Sequence, residues 1–557
     1  MIGVTRWIAL CSLATLAVVA TDGRSVRAAD SSRSTIILPK ARPRPVSRPL
    51  GGVRLVEALR LYQAKQYQAA ALSLERHLGS GQLASKRERD ATLYYLSKAL
   101  FRLRLYYSCA PYLEQLILES EGGGRYQVLA LKMLTWVSHR LDDESMLYRV
   151  AREMSASRFP SRLVNEFNFL SAKQKLLNGD PAGAIQRARE VSPESRYYPR
   201  AKMLEADALL KTNQTKEAIR SYLAMLTSRV GTESLTELKM IALLNLGRLY
   251  YELGEFDKAY VAFRRVPIES ISWDRSHFEM AWPLFMMEKY HRALGNLHSY
   301  LAPQLDHIFI PEVDVLKGTI FFRLCRYEDS ELALEHFFEL YGPVLERLRK
   351  VESRPAKNVE ALYRPFVIDW LARAETQTTS GKKKRTELAA QIKDRLALVP
   401  EPILRHLRAD PQVVDAIRKL SRISREVSWI RKSDRYFLGD SVASGFSKSA
   451  LATALRRVLL LERQRLLRDG GQWLRGEMTR FREQLESLTY QARIVYYEMA
   501  NGDKEREANR SGAIEPSYRE QEINVVEKDD FEYWPFNGEY WPDEVGYYRY
   551  LVRGACR

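Results

Sequence analysis

Cysteine is scarce in this chain, and proline, glycine and strand-like alternation are scarce along its middle. Four cysteines occur among 557 residues, and Cys11 lies in an N-terminal segment that we expect to be cleaved. The three that then remain (4 − 1) are odd in number and widely spaced, so the sequence predicts no disulfide framework. We interpret Cys109 as a small helix-packing residue and Cys325 as a structural residue of an inter-helix turn. Because alternating apolar residues are hard to find, the fold is predicted to be all-α.

Sequence motifs for metal binding and for nucleophilic catalysis are also missing. The chain has no His-Glu-x-x-His and no Cys-x-x-Cys motif. His291 and His298 are seven residues apart on one predicted helix face, but a third ligand is lacking, so we interpret them as ordinary core or surface residues. Gly439-Asp440-Ser441 resembles a hydrolase serine motif, yet no strand precedes it. We therefore predict a non-enzymatic protein without catalytic residues, metal or cofactor.

A long apolar run occurs only at the N-terminus. Arg6 is followed by the apolar stretch Trp7–Ala20, which is too short to span a bilayer, and then by Val26-Arg27-Ala28, a small-x-small cleavage pattern. We predict that residues 1–28 are a signal peptide cleaved before Ala29; a buried helix or an uncleaved anchor is the alternative. No later stretch is apolar enough to cross a membrane. We therefore expect a periplasmic protein, associated at most peripherally with the outer membrane.

Positive charge is concentrated in parts of the chain, whose formal net charge is +18. Residues 29–50 are basic and rich in proline, a composition that predicts an extended linker. Residues 381–500 hold 25 Lys and Arg against 14 Asp and Glu (net +11), whereas the last 57 residues hold 8 against 13 (net −5). A basic region can bind nucleic acid, but an export signal argues against that partner. Acidic proteins, anionic lipid or the acidic tail itself are the favoured contacts.

A 34-residue repeat organises most of the chain. Ala281 takes the place of Gly247, and Ala293 takes the place of Ala259, each 34 residues later; Gly318 occupies the position of Gly247 in the following repeat. Small residues at two fixed points let two helices approach closely, so the period predicts about eight stacked helical hairpins. The prolines predicted to lie near repeat ends, where a helix must stop, are Pro160, Pro193, Pro267 and Pro343.

The strongest repeat carries a recognisable family pattern. Leu246, Gly247 and Tyr250 match Leu-Gly-x2-Tyr, and Ala259 and Phe263 match Ala-x3-Phe. These residues resemble the tetratricopeptide repeat (TPR) family, and the repeats cover residues 51–343. The resemblance implies an α-solenoid in which the first helix of each hairpin, helix A, lines an inner groove. Such solenoids are usually binding surfaces.

The resemblance also implies which side chains face that groove. The residue four positions after Gly247 points inward, and in three successive repeats this position holds Tyr251, Phe285 and Phe322. Trp282 lies on the same wall. Two interpretations stay open: packing between repeats, or an aromatic strip that binds a helix or an extended peptide of a partner.

After the repeats the chain is predicted to be helical but not repetitive. Residues 344–447 are a helical region with loops, and residues 448–510 are a long helix or a helical hairpin that Gly470-Gly471 kinks or splits. Leucines or other apolar residues recur every seven residues from Leu460, and within residues 474–499 a second apolar line completes a heptad seam. Antiparallel packing within the chain and self-association as a coiled coil are both open.

The final segment, residues 511–557, is acidic and rich in aromatic residues. Tyr533-Trp534-Pro535 recurs as Tyr540-Trp541-Pro542, and nine of the twenty residues from Phe531 to Tyr550 are aromatic. Such a density of rings is difficult to leave in water. We propose Trp534, Phe536 and Trp541 as anchors that dock either on this chain or on a partner.

The export signal, the repeats, the basic helical region and the Tyr-Trp-Pro-Phe-Asn-Gly-Glu-Tyr-Trp stretch together resemble periplasmic TPR proteins of deltaproteobacteria. Some of those are named as components of adventurous gliding motility. The resemblance implies a scaffold that binds other proteins of the bacterial envelope. One alternative is an outer-membrane or cell-wall assembly factor that holds client peptides in its groove; another is an accessory subunit of an envelope enzyme.

Overall fold

The computed structural model describes most of the chain after the predicted linker. The described residues are 55–80, 83, 85–120, 124–154, 163–228, 236–302, 309–375, 396–432, 446–509, 522–525, 538–541, 544–552 and 554. The predicted signal peptide (1–28) and linker (29–50) therefore lie outside the described residues, and so does the Gly439-Asp440-Ser441 turn.

The repeats form consecutive pairs of helices. Their bounds are α1 (Leu55–Gln63), α2 (Tyr67–Gly79), α3 (Lys86–Arg102), α4 (Tyr106–Glu119), α5 (Arg125–Leu141), α6 (Ser145–Glu153), α7 (Val164–Leu177), α8 (Pro181–Arg189), α9 (Tyr198–Lys211), α10 (Thr215–Thr227), α11 (Thr236–Glu252), α12 (Phe256–Arg264), α13 (Trp273–Glu279), α14 (Ala281–Met286), α15 (Tyr290–His298), α16 (Glu312–Arg323) and α17 (Tyr327–Glu352).

The C-terminal region adds further helices and one small sheet. They are α18 (Ala356–Glu360), α19 (Tyr363–Glu375), α20 (Glu401–Ala409), α21 (Pro411–Lys432), α22 (Ala450–Asn509), β1 (Glu522–Val525) and β2 (Tyr548–Leu551). The two strands are antiparallel, with Glu522 opposite Leu551 and Val525 opposite Tyr548. The prediction of an all-α solenoid of TPR-type hairpins is confirmed. The small two-stranded sheet is an addition that the sequence did not predict.

The chain divides into two compact units. Of the described residues, those within Ser25–Thr212 and Pro411–Gly470 form the first unit, and those within Asn213–Asp410 and Gly471–Arg557 form the second. Each unit thus combines repeat hairpins with a segment from the C-terminal region.

The turn from helix A to the second helix, helix B, has the same backbone conformation in every described hairpin. One residue of each turn has a positive φ, the left-handed conformation that glycine adopts most easily. Because this geometry recurs, helix B begins two residues after that position in seven of these hairpins, and three residues after it in the hairpin of Asp142. The residues concerned are Lys65, Arg104, Asp142, Gly179, Asn213, Gly254, Glu288 and Cys325.

The small residues of the repeat lie where helices A and B meet. A Cβ atom at Gly247 would lie 2.5 Å from the Phe263 ring, and one at Gly318 would lie 2.8 Å from Leu334. Ala259, Ala281 and Ala293 are completely buried. The large residue sixteen positions after each of these two glycines, Phe263 or Leu334, fills the space that the missing side chain leaves.

Pro343 corrects one prediction about where helices end. Pro193 and Pro267 lie between helices, but Pro343 is inside α17, which continues to Glu352. A proline removes the hydrogen bond to the carbonyl four residues earlier. Here that carbonyl belongs to Glu339, which is exposed, so water can satisfy the group. Pro160 lies outside the described residues.

Helix α22 is a single helix that runs through Gly470 and Gly471, so the predicted split into a helical hairpin is wrong. A Cβ atom at Gly471 would lie 2.7 Å from the carbonyl oxygen of Glu360. The glycine therefore permits a close approach of α18 and does not interrupt the helix. The heptad line also starts later than predicted, because Leu460 is exposed.

The heptad seam of α22 is buried within the second unit. Its eight apolar residues are all less than a tenth exposed: Leu474, Met478, Phe481, Leu485, Leu488, Ala492, Val495 and Met499. Ion pairs order the helix against α17 and α18: Arg475 with Glu360, Arg482 with Glu352, and Glu486 with Arg349. In these pairs the residue numbers rise along α22 while they fall along α18 and α17, so α22 packs antiparallel to these two helices. Self-association through residues 474–499 loses its basis, since the same side chains are already covered.

Cys325 corrects the prediction for the cysteines. It is disulfide-bonded, whereas Cys109 is buried and free. Spacing along the sequence did not predict this bond, because a disulfide depends on proximity in the folded chain.

Candidate interaction surfaces

Aromatic pairs close the turn between helices A and B in five hairpins. In each pair the ring near the end of helix A contacts the ring at the start of helix B, five residues later, at centroid distances from 5.2 to 6.0 Å. The residue with positive φ always lies three positions after the first ring. The pairs are Tyr62–Tyr67, Phe101–Tyr106, Tyr251–Phe256, Phe285–Tyr290 and Phe322–Tyr327.

Three of the four predicted groove residues, Tyr251, Phe285 and Phe322, therefore serve first as hairpin-closing rings. Tyr251, Trp282 and Phe322 keep part of their surface exposed, but Phe285 is only 4% exposed. The Trp282 ring stands edge-on to Phe285, with centroids 6.2 Å apart. A partner at this surface would contact the three partly exposed rings, which we call the helix A strip, while Phe285 supports Trp282 from below.

The same pattern extends into the first unit, where sequence analysis missed it. Tyr62 and Phe101 lie four residues after the small positions Ala58 and Ser97, just as Tyr251 follows Gly247. Phe101 also contacts Trp136 of α5 at 6.4 Å, and Trp136 is 70% exposed. Applying the four-residue offset to every repeat would have found Tyr62 and Phe101. Trp136 does not follow that offset, because its repeat is degenerate.

Buried charges connect helix A of successive hairpins in the second unit. Arg248 donates two hydrogen bonds of 2.6 Å to the carboxylate of Glu279, and Arg275 donates another of 2.7 Å. Burial raises the pKa of Glu279, but the two guanidinium groups outweigh burial and hold this pKa below its ordinary value. Glu312 lies 3.9 Å from Arg275 and accepts a 2.6 Å hydrogen bond from Gln484 of α22. These charges are paired within the unit and serve to align the hairpins.

The C-terminal tail packs on helix B of the seventh hairpin. A Cβ atom at Gly295 of α15 would collide with the carbonyl oxygen of Tyr548, so only glycine lets the strand lie directly on the helix. The Gly546 amide donates to Ser299 Oγ at 3.0 Å, and Nδ1 of His291 lies 3.0 Å from the Tyr550 carbonyl oxygen. The described tail residues 544–552 and 554 thus dock on their own chain.

A histidine surrounded by tyrosines lies at the centre of this docking surface. His298 stacks on Tyr540 at 5.4 Å and contacts the rings of Tyr548 and Tyr550 at 5.2 and 6.1 Å. Burial lowers the pKa of His298 to about 4, so the ring is neutral at physiological pH. His277, whose Nε2 lies 3.3 Å from Ser299 Oγ, is also buried, and burial likewise lowers its pKa to about 4.

The proposed tail anchors are placed only in part. Trp541 is 57% exposed, and Trp534 and Phe536 lie outside the described residues. The tail residues that carry the docking are instead Val545, Tyr548, Tyr550 and Val552, all of which are buried. Tyr548 and Tyr550 alternate along β2, and Val552 directly after the strand continues the alternation. This alternation was the sequence signal that a search for tryptophans missed.

The described residues contain no group of three or more His, Cys, Asp or Glu side chains arranged to hold a metal ion. His291 and His298 both face the tail, which accounts for their spacing on α15. In the part of the chain that the structure describes, no helix combines the length and apolar character needed to span a membrane.

Comparisons with known proteins add little to this picture. No family model matches the sequence, and no curated protein matches it. Among solved structures, the apo form of RapI is similar over 61% of this chain and 94% of its own, with 15% identity and a TM-score of 0.34. The APC/C hetero-tetramer Cut9-Hcn1 is similar over 73% of this chain and 83% of its own, with 11% identity and a TM-score of 0.22. At these values we draw no argument from either likeness. The chain's own hairpins show that it is an all-α protein with a TPR-like helical solenoid.

Proposed function

We propose that this chain is an exported, non-enzymatic scaffold that binds other proteins through the helix A strip of hairpins six to eight. One observation carries the proposal. Among the described residues, the heptad seam and the Tyr548–Tyr550 face of β2 are covered by the chain itself, whereas Tyr251, Trp282 and Phe322 stay partly exposed.

The chemistry of the strip suits a peptide-like partner. Aromatic side chains dominate the binding energy of protein interfaces because each buries a large apolar area with few rotatable bonds. Tyr251 and Phe322 are held by their hairpin-closing partners and Trp282 by Phe285, so little side-chain entropy is lost when a partner binds. Nearby charges such as Arg248 and Glu279 are already paired. We therefore expect a helix or extended segment that presents apolar side chains at the spacing of the repeats.

The test compares variants in the capture of envelope proteins. The triple variant Tyr251→Ala, Trp282→Ala, Phe322→Ala removes the strip, and we expect it to lose the proteins that co-purify with the native chain from envelope extracts. Each truncated anchor ring is expected to weaken binding by about 1–2 kcal/mol or more. Co-purifying proteins would be identified and quantified by mass spectrometry.

The matched control is Tyr497→Ala. Tyr497 is 76% exposed on α22 of the same unit, so its removal takes away an aromatic ring outside the strip. Circular dichroism melts of both variants show whether they remain folded. If the folded triple variant retains every partner of the native chain, the strip is not the binding surface.

Export rests on a separate argument. Arg6, the short apolar run and the Val26-Arg27-Ala28 pattern support a cleaved signal peptide. The disulfide at Cys325 supports the same compartment, because such bonds persist in oxidising environments and are rare in the cytosol. N-terminal sequencing of the native protein should begin near Ala29. A protein that retains Met1 and fractionates with the cytosol would refute export.

The proposed setting is a complex of the bacterial envelope, such as a gliding motility machine, as the resemblance of the tail and repeats implies. An assembly factor that holds client peptides would use the same strip. The two functions differ in selectivity: a scaffold retains a few partners in fixed ratio, whereas an assembly factor binds many unrelated extended peptides weakly. An accessory subunit would co-purify with an enzyme whose activity falls when the strip is removed.

A further inference from the structure

We propose that the beginning of α22, within the first unit, carries a docking face for an anionic phospholipid surface. The face consists of Arg457, Leu460, Leu461, Gln464 and Arg468, and we call it the arginine–leucine face. These residues belong to the other unit from the helix A strip. The inference therefore goes beyond the proposed function and does not depend on it.

The helix period divides this stretch of α22 into a buried face and an exposed face. The residues of the arginine–leucine face follow Arg457 at intervals of three, four, seven and eleven, which places them on one side of the helix. All five are exposed. The residues of the opposite side are all less than a tenth exposed: Leu451, Leu455, Val458, Leu459 and Glu462.

Two neighbouring leucines lie in the middle of the exposed face. Leu460 is 43% exposed and Leu461 is 44% exposed, although the heptad seam further along the same helix is buried. Single apolar residues on a surface are ordinary. Here the two leucines are adjacent and are flanked on both sides by Arg457 and Arg468, so apolar and positively charged groups share one face.

The charge of this stretch is almost entirely positive. Residues 456–468 contain five arginines and one carboxylate, Glu462. That carboxylate is buried and lies 3.8 Å from Arg149 of α6, so it belongs to the interior of the unit. Arg456 and Arg463, at the margins of the exposed face, are themselves partly exposed. The leucines are therefore surrounded by guanidinium groups that reach solvent.

Helix α21 of the same unit adds a second line of positive charge. Arg418, Arg425 and Lys432 are seven residues apart, and all three are exposed. The two carboxylates of α21 are already engaged: Asp415 in a 2.8 Å ion pair on the same helix, and Glu426 at the start of α4. The exposed surface of both helices thus attracts anions.

An anionic bilayer matches this chemistry better than other negatively charged partners do. Single-stranded nucleic acid is bound by stacking bases on aromatic rings, and the arginine–leucine face has none. A second copy of the chain would set arginine against arginine, because a two-fold interface pairs a patch with itself. A bilayer supplies phosphates for the guanidinium groups and an acyl boundary for the leucines, a pairing of two signals that stable peripheral binding requires.

The contact that follows is peripheral. Leu460 and Leu461 enter the headgroup region, while the stems of Arg457 and Arg468 extend beside them and keep their charged ends at the phosphates. From Arg457 to Arg468 the helix advances about 16 Å. A continuous charged surface meets arginines spread over that length without needing an acidic group placed opposite each one.

The first test is co-sedimentation of the purified full chain with lipid vesicles. The probe is an equimolar mixture of phosphatidylglycerol and phosphatidylethanolamine, with phosphatidylcholine vesicles as the uncharged comparison. We expect binding to the anionic vesicles that weakens as salt is added. The variant Arg457→Ala, Arg468→Ala should bind them roughly 30-fold more weakly, because each basic residue near an anionic surface contributes about fivefold.

The matched control is the variant Arg347→Ala, Arg493→Ala. It removes the same charge from exposed positions on α17 and α22 of the second unit, and its affinity should stay within about twofold of the native value. Equal losses in the two variants would show that net charge, and not this face, causes binding. Equal affinity of the native chain for phosphatidylcholine, or native affinity in Arg457→Ala, Arg468→Ala, would also overturn the proposal.

The second test separates a bilayer from a soluble acidic partner or a second copy. Leu460→Ser, Leu461→Ser should bind the anionic vesicles more weakly than the native chain, whereas Leu332→Ser, at a 64% exposed position of α17, should not. Native binding by the leucine variant shows that the face recognises anions alone. A dimer of the native chain that this variant loses in sedimentation velocity assigns the leucines to a second copy. Either result overturns the proposal.

Circular dichroism melts confirm that each variant is folded before its binding is compared. Because the vesicles contain no protein, a failure of these tests is distinct from a failure of the helix A strip to bind its partners.

Discussion

The two units hold their C-terminal segments in contrasting ways. In the first unit, α21 and the beginning of α22 bury charged side chains, Glu426 and Glu462, within an otherwise apolar face. In the second unit, the rest of α22 meets the hairpins through an apolar seam with ion pairs at its margins.

Glu426 is the clearest polar contact of the first unit. Its carboxylate accepts hydrogen bonds from the backbone amides of Tyr107 and Ser108, at 2.8 and 3.1 Å, and from the Ser108 hydroxyl at 2.8 Å. The first N–H groups of a helix have no partner within it, so Glu426 caps α4 from 319 residues away. Lys419 adds a 3.4 Å ion pair with Asp143.

The difference shows what each kind of contact supplies. An apolar seam stabilises through its area and tolerates small shifts along the helix. Buried charges add little net stability, because their desolvation offsets the attraction, but leaving one of them unpaired is strongly unfavourable. The seam therefore stabilises the second unit, while the buried carboxylate selects one register for α21 in the first.

Breaking the seam should have the largest effect. Phe481 is buried against Phe309, with ring centroids 5.2 Å apart. Phe481→Ala should lower the free energy of unfolding of the second unit by about 3–5 kcal/mol, from lost burial and the cavity that remains. Chemical denaturation measures this, with exposed Tyr497→Ala expected to change stability by less than about 0.5 kcal/mol. Equal losses in both variants would show that the seam is not the stabilising contact.

Raising the pH should weaken the first unit through Glu426. Burial raises the pKa of this carboxyl to about 7, against the hydrogen bonds that lower it. A raised pKa means that the folded state holds the proton more tightly than the unfolded state. The stabilisation is therefore complete below about pH 4.5 and is lost as the pH rises through 7, a change of about 3 kcal/mol. Hydrogen exchange of the α4 amides would measure this loss of stability. Glu426→Gln should abolish its pH dependence, and a pH dependence that is unchanged in that variant would contradict the role of Glu426.

Lowering the pH should weaken the second unit, the opposite response. The pKa values of His277 and His298 are lowered to about 4, so their contribution to stability is present above the ordinary pKa of about 6.5 and is lost as the pH falls toward 4. At pH 5 each should destabilise the docked tail by about 2 kcal/mol. Hydrogen exchange at Tyr550 and Val552 should therefore speed up on acidification, and His298→Gln should reduce that response. Exchange that is insensitive between pH 7.5 and 5 would refute the role of these histidines.

The smallest of these effects is expected from two glycines of the second unit. Gly295→Ala places a methyl group against the Tyr548 carbonyl and should weaken tail docking by about 1–3 kcal/mol. Gly476→Ala, on α22, meets no atom within 4 Å. It should stabilise the helix by about 0.5–1 kcal/mol, because alanine loses less backbone entropy. Thermal melts that move in the same direction for both would contradict the placement of β2 on α15.

Local patterns in the sequence determined the helical hairpins and the seam. Gly247 and Phe263 are sixteen residues apart, and the seam residues are three or four apart on one helix. Regularities of this kind depend on the helix period and on the close approach of neighbouring helices, so spacing alone is enough to find them. The same logic located the aromatic positions Tyr251, Phe285 and Phe322, although not how deeply Phe285 is buried.

Contacts between residues far apart in the chain were decided only by the tertiary structure. Glu426 on α4, Tyr548 on Gly295 and the bonded state of Cys325 all join segments that no short-range pattern relates. In the sequence, Gly295 and Gly471 look like helix breakers. In the structure, each position has room only for glycine because another segment of the chain passes close to it. The sequence by itself therefore determined an all-α chain of TPR-like hairpins with a heptad helix, since both follow from local periodicity. Which surfaces that chain covers and which it leaves exposed was decided by the long-range packing of its last 150 or so residues, because a buried contact exists only once both partners have been brought together.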